Sequence, residues 1–94
     1  MDIKHQQGET KGLFFIEQNS EKVGELEYSM AGKERMIISH TEVSDTLKGQ
    51  GAGKQLVQAA VDYARQHHLK VMPLCPFANA VFHRTPDFND VWDR

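Results

Sequence analysis

Three glycines within five residues, Gly49, Gly51 and Gly53, lie between two lysines in the segment Leu47-Lys48-Gly49-Gln50-Gly51-Ala52-Gly53-Lys54. Glycine admits left-handed backbone at no steric cost, so a turn of this kind can aim successive amides inward. A helix that begins directly after it adds its own unpaired N–H groups and the positive end of its dipole. The combination predicts an anion site suited to phosphates, with a tight connection that binds nothing as the bland alternative. Two familiar phosphate loops are excluded. A magnesium-nucleotide loop needs Gly where Lys48 stands and Ser or Thr where Gln55 stands. A dinucleotide fingerprint needs a third glycine where Lys54 stands, and it opens a parallel βαβ unit.

Other residues carry chemistry singly. Cys75 precedes Pro76, which fits the first position of a helix, and a helix N-terminus lowers a thiol pKa. Cys75 is therefore a candidate nucleophile, set against an inert buried cysteine, and His40 is the candidate base for it. Glu42 is a carboxylate base or an exposed strand residue. His67 and His68 are adjacent, so they cannot share a helical face, and no metal site is expected. Trp92 reads as a hydrophobic latch for the C-terminal tail.

The elements that must hold these residues follow from periodicity. Gly12–Glu17 is a short aromatic-rich strand, and residues 23–30 alternate with period two, placing Leu26, Tyr28 and Met30 on one face and Glu25, Glu27 and Ser29 on the other. Met36–Val43 returns against them, and a weaker strand is expected at Asp2–Gln7. After Val43 the period becomes helical. Leu56, Val57, Ala60, Val61 and Ala64 form one stripe, predicting a helix from Gly53 to about His67. A short strand at Lys70–Leu74 and a second helix from Pro76 to about Arg84 complete an α+β arrangement of about five mainly antiparallel strands and two helices.

Ninety-four residues suffice for one domain, expected over 1–94, with a single core. The net charge of −2 disfavours a nucleic-acid binder. Residues 1–47 hold five Lys/Arg against nine Asp/Glu, whereas 48–94 hold six against four, so an anionic ligand is expected on the second half. A lone cysteine and the absence of a signal-peptide pattern predict a cytoplasmic protein, and no apolar run is long enough to span a bilayer.

The spacing Lys48-x-x-Gly51-x-Gly53 resembles the acetyl-CoA signature of the GCN5-related N-acetyltransferases (GNATs), with Lys48 in place of the usual Gln or Arg. Together with His40-Thr41-Glu42-Val43 and Pro73-Leu74-Cys75-Pro76-Phe77-Ala78, it is similar to the small, one-domain YjdJ-like branch of that superfamily, over about Gly12 to Phe88. The resemblance implies a sheet splayed between its fourth and fifth strands. Acetyl-CoA would be the cosubstrate, with no metal. Its pantetheine arm would pair with backbone near Thr41, Glu42 and Val43, and its pyrophosphate would rest on Gly49, Gln50, Gly51, Ala52, Gly53 and Lys54 beside Lys48. By position, Asn79 and Phe82 would also border it. Phe82 stands where many members have Tyr, and Ile37 and Ile38 stand where many place a carboxylate base. The expected activity is acetyl transfer to an amine of unidentified kind, small molecule or protein, through Cys75 and His40. A non-catalytic CoA-binding module is the alternative.

Overall fold

The computed structural model describes residues 2–94. The chain runs β1 (Lys4–Gln7), β2 (Lys11–Gln18), β3 (Glu21–Ala31), β4 (Arg35–Val43), α1 (Ala52–Gln66), β5 (Lys70–Pro73) and α2 (Pro76–Arg84). Short 3-10 turns at Asp45–Leu47 and Pro86–Phe88 precede α1 and follow α2. The five strands lie in chain order in one sheet; β1 to β4 are antiparallel and β5 is parallel to β4. This is the expected α+β architecture, with β1 starting at Lys4 rather than Asp2.

Alternation decides which face is buried. Leu26 and Tyr28 of β3, Met36 and Ile38 of β4, and Phe14 and Ile16 of β2 enter one core. The apolar stripe of α1 is buried against them: Leu56, Val57, Ala60, Val61 and Ala64 are all fully covered. No side chain caps the start of α1, so burial of this stripe is what holds the helix, at about 1.5–3 kcal/mol for each large aliphatic side chain. A Cβ on Gly12 would overlap the Tyr28 ring, which fills that space. The Tyr28 hydroxyl meets His5 Nε2 at 2.5 Å, tying β1 to the sheet. Burial, and then Tyr63 nearby, push the Tyr28 phenol up to about 12.

Two local features shape the β4–β5 side. The parallel ladder runs from Arg35 opposite Lys70 to Ile38 opposite Pro73 and then stops. Pro73 has no N–H to extend it, and the amides of Leu74 and Cys75 both donate to the Ile38 carbonyl at 3.1 Å. Residues 39–43 of β4 therefore continue without a β5 partner, which is the expected splay. On the other side of β4 the pairing slips between Glu27 opposite His40 and Tyr28 opposite Ile38, leaving Ser39 as the extra residue of a bulge. The bulge restores alternation one residue late. Thr41 and Val43 consequently turn toward the core side and His40 and Glu42 toward the opposite face.

The C-terminal tail closes the far side of β5. The Val71 amide donates to the Val91 carbonyl at 2.6 Å and the Asp93 amide to the Val71 carbonyl at 2.8 Å, while Trp92 packs edge-on to Phe82. Trp92 is thus the latch its composition predicted. Among the described residues no helix is long and apolar enough to cross a membrane.

Candidate cofactor site

The turn before α1 is built in steps. The Ser44 hydroxyl accepts from the Thr46 amide at 3.3 Å, starting a single 3-10 turn whose Leu47 is buried and anchors it. Beyond Lys48 the backbone twice becomes left-handed, at Gly49 (φ +81°) and Gly51 (φ +70°), and Gly51 is the N-cap of α1. Any side chain at these positions would be strained by about 1–2 kcal/mol, although a Cβ on either would meet nothing within 4 Å. Gly53 differs in having a neighbour: a Cβ there would come within 2.6 Å of the tip of the exposed Phe77 ring, which would have to swing aside.

These elements enclose a cavity of about 410 Å³. Its floor is the turn itself, Leu47 to Gly49 and Gly51 to Lys54; Thr41 and Val43 form one wall, and Phe77 and Arg84 of α2 the other. The first turn of α1 carries no acidic residue and no side-chain cap, so its amides and dipole face the cavity uncompensated. Lys48, Lys54 and Arg84 give it three cations. The cavity can take a phosphate-bearing chain whose far end runs along β4 into the gap below Ile38. Thr41 and Val43 direct their backbone groups into that gap, since Ser44 next along already bonds back to Val23.

Eight of the residues singled out in the sequence line this cavity: Thr41, Val43, Lys48, Gly49, Gly51, Ala52, Gly53 and Lys54. Gln50 does not; it is exposed, and its amide nitrogen reaches back to the Thr46 carbonyl at 3.5 Å. Asn79 is half-buried at the gap, donating through Nδ2 to the Pro73 carbonyl at 3.3 Å. Phe82 requires a correction. It is 0% exposed, packed against Phe88 and Trp92, because it follows Ala78 and Val81 on the buried stripe of α2. Phe77 was not singled out as a site residue, and Arg84, which the sequence sets at a solvated helix end in preference to a phosphate contact, also lines the cavity. Phe77 is one of two large apolar side chains left exposed among the described residues, and the +2 charge of the second half was the available signal for Arg84.

Cys75 is the N-cap of α2 and lies at the closed end of the gap. Its thiol donates to Thr41 Oγ1 at 3.5 Å. Burial pushes the thiol up, but hydrogen bonds to the thiolate from the Thr41 hydroxyl and from the Ala78, Phe77 and Thr41 backbone outweigh it, leaving the pKa below its usual value. The expected partnership of Cys75 with His40 is not formed. His40 is exposed on the opposite face, where Nε2 meets Glu42 Oε2 at 3.3 Å. The bulge at Ser39 is the reason: it sets Thr41, not His40, toward Cys75. Glu42 likewise presents its side chain away from the gap.

The sequence profile of the GCN5-related N-acetyltransferases matches residues 13–91. The chain belongs to this family. A GCN5-like protein from Staphylococcus aureus, solved in solution, matches 98% of the chain and 87% of its own at 36% identity, with a TM-score of 0.76. Protein NATD1 of Xenopus tropicalis is 38% identical over 48 residues, which are 51% of this GNAT chain and 44% of that relative. The match thus spans less than half the length of that relative. A GNAT family acetyltransferase from Elizabethkingia anophelis with acetyl-CoA bound shares the fold, at 17% identity and a TM-score of 0.64 over 82% of this chain and 53% of its own. The family and fold are those of acyltransferases, in a small version with one sheet and two helices.

Proposed function

We propose that the protein binds acetyl-CoA and transfers its acetyl group to an amine. The observation that carries this reading is continuity: an open gap beyond Ile38 leads from Cys75 past the backbone of Thr41 and Val43, which β5 does not pair, to the glycine turn. In this reading the pyrophosphate rests on the Gly49–Lys54 amides, flanked by Lys48, Lys54 and Arg84, and the pantetheine amides pair with Thr41 and Val43. Asn79 borders the thioester end, and no metal takes part. A neighbour of the same fold carries acetyl-CoA, which supports the assignment. The compartment is the cytoplasm, where a lone thiol stays reduced.

Within this reading Cys75 is the nucleophile. Its thiolate attacks the thioester carbonyl carbon, the CoA sulfur leaves with the bonding pair and takes a proton, and the resulting Cys75 thioester passes its acetyl group to the amine. The buried Phe82, which has no hydroxyl, and Ile37 and Ile38 in mid β4 favour a second reading, a CoA-binding module without turnover. Intact-mass measurement after incubation with acetyl-CoA separates them. The enzyme reading predicts an acetyl adduct that Cys75→Ala removes, and an alkylation midpoint for Cys75 below the roughly 8.5 of a free thiol. An adduct that persists in Cys75→Ala removes Cys75 from the pathway. Binding without any adduct or acceptor turnover supports the module.

A further inference from the structure

Alternation sorts the sheet into two faces, and both helices lie on the same one: α1 and α2 share a single core with Leu26, Tyr28, Met36 and Ile38. Among the described residues no helix covers the opposite face. There Leu13 of β2, Ile37 of β4 and Met72 of β5 are half-buried, and Leu74, two residues after Met72, is 63% exposed. Ile37 and Met72 are register partners, so their side chains project together. Apolar side chains grouped on an open surface mark a contact site.

Charge on this face is divided by position along the strands. At one end Glu25 pairs with Glu42, and Glu27 follows one row further in. At the other end Arg35 pairs with Lys70, and Lys33 of the β3–β4 turn joins them; the pocket there sets these three cations against Glu34 and Asp93. Lys11 stands between the ends, in the row of Ser29 and Ile37. Among the described residues Glu25, Glu27, Lys11, Lys33 and Lys70 make no ion pair. A face acidic at one end and basic at the other is complementary to itself. A two-fold axis that lies in the interface and runs across the strands sets each end on its opposite. Size agrees. The 11 residues of β3 are about 36 Å long and five strands span about 19 Å, up to about 700 Å² in projection, close to the roughly 800 Å² that each partner buries in a standard interface.

We infer that this face joins two copies of the chain in a symmetric dimer. The axis runs between the Glu27 row and the Lys11 row and exchanges them. Lys11 of one copy then lays its aliphatic stem on Leu13 of the other and its ammonium beside Glu27, and the contact recurs by symmetry. The same exchange sets Met72 on Leu74, and Glu25 and Glu42 on the Arg35 and Lys70 end. A face of one sign would call for a partner of the opposite charge. A face that carries both signs, in the order its own rotation demands, fits a second copy. Because α1 and α2 lie on the far side, the cavity at the start of α1 stays open in both copies, and the dimer stands or falls independently of the acetyl-CoA reading.

Sedimentation equilibrium of the full chain over a concentration series tests this, and twice the chain mass is expected at tens of micromolar. Lys11→Glu and Glu27→Lys each set like charges together at both symmetry-related contacts. Each is expected to raise the dimer dissociation constant by at least about tenfold while circular dichroism stays that of wild type, both side chains being exposed. An equimolar mixture of the two variants restores opposite charges at both contacts and is expected to bring the dimer back. Leu74→Ser, outside every strand, is expected to weaken the dimer too, and it reads the face even where a charge variant misfolds. A chain that stays monomeric up to millimolar concentration would overturn the inference. So would a dimer that all three substitutions leave intact, or a mixture no more dimeric than its components.

Discussion

At its C-terminal end α1 is tied down by contacts on every side. Arg65 donates to both Asp90 carboxylate oxygens at 2.9 and 3.0 Å and to the Asp87 carbonyl at 2.7 Å, and the His67 amide closes on the Tyr63 carbonyl. At its N-terminal end the same helix starts from a left-handed glycine, with no side-chain cap, no acidic residue in its first turn and two lysines alongside. Helix ends normally satisfy their unpaired groups with caps or water. Here the end that fastens the tail has its Tyr63 and Ala64 carbonyls taken up by the His67 and Leu69 amides, and the end that faces the gap leaves its amides for something else. Stability and binding are therefore built into opposite ends of one helix and should separate under mutation.

The sharpest way to break that division is Gly51→Asp. It sets a carboxylate where the pyrophosphate is proposed to sit, and like charges about 4 Å apart near a surface cost enough to weaken acetyl-CoA binding by at least about a hundredfold. The fold should survive, because a Cβ there meets nothing within 4 Å and the left-handed backbone costs about 1–2 kcal/mol. Calorimetry and circular dichroism read the two effects separately. Retained affinity in a folded variant would place the phosphates elsewhere.

How far this division could be read from the sequence depends on what each part rests on. The α1 stripe and the alternation of β3 are periodic, and periodicity survives translation into three dimensions, so the helix, its core face and the five-strand sheet were legible. So was the glycine turn, because φ > 0 leaves few residue choices. The bulge was not. One extra residue at Ser39 reverses the facing of everything after it in β4, and nothing in Ile38-Ser39-His40-Thr41 announces it. That inversion separated His40 from Cys75 and brought Thr41 to the thiol instead. Phe82 was misplaced for a related reason: its position after β5 resembled a ligand contact, but its spacing from Ala78 belongs to the buried stripe of α2. Arg84 reaches the cavity only through the packing of α2 against α1, which local sequence does not encode.

The opposite end of the helix offers the converse experiment. Arg65→Ala should lower the melting temperature by a few degrees by freeing the tail, and leave acetyl-CoA affinity unchanged. Acid should loosen the same end. The Arg65 hydrogen bond holds the Asp90 carboxyl below its ordinary range, so the stabilisation is complete above the unfolded value near 3.9 and is lost as pH falls through the folded one. A melting temperature measured from pH 6 downward should fall in wild type and less in Arg65→Ala. The smallest effect is expected for Lys48→Ala and Lys54→Ala, each weakening acetyl-CoA by about fivefold at low salt and less as salt screens the exposed charges.

The central claim is that acetyl-CoA enters the gap between β4 and β5 with its phosphates on the start of α1. Titrating acetyl-CoA into isotope-labelled protein and following backbone amide shifts tests it most directly. The account predicts large shifts at Gly49 to Lys54, with further shifts at Thr41 and Val43, and little change around Arg65 and Asp90. Saturating acetyl-CoA that leaves the Gly49–Lys54 amides unmoved, or shifts a different face of the molecule, would contradict it.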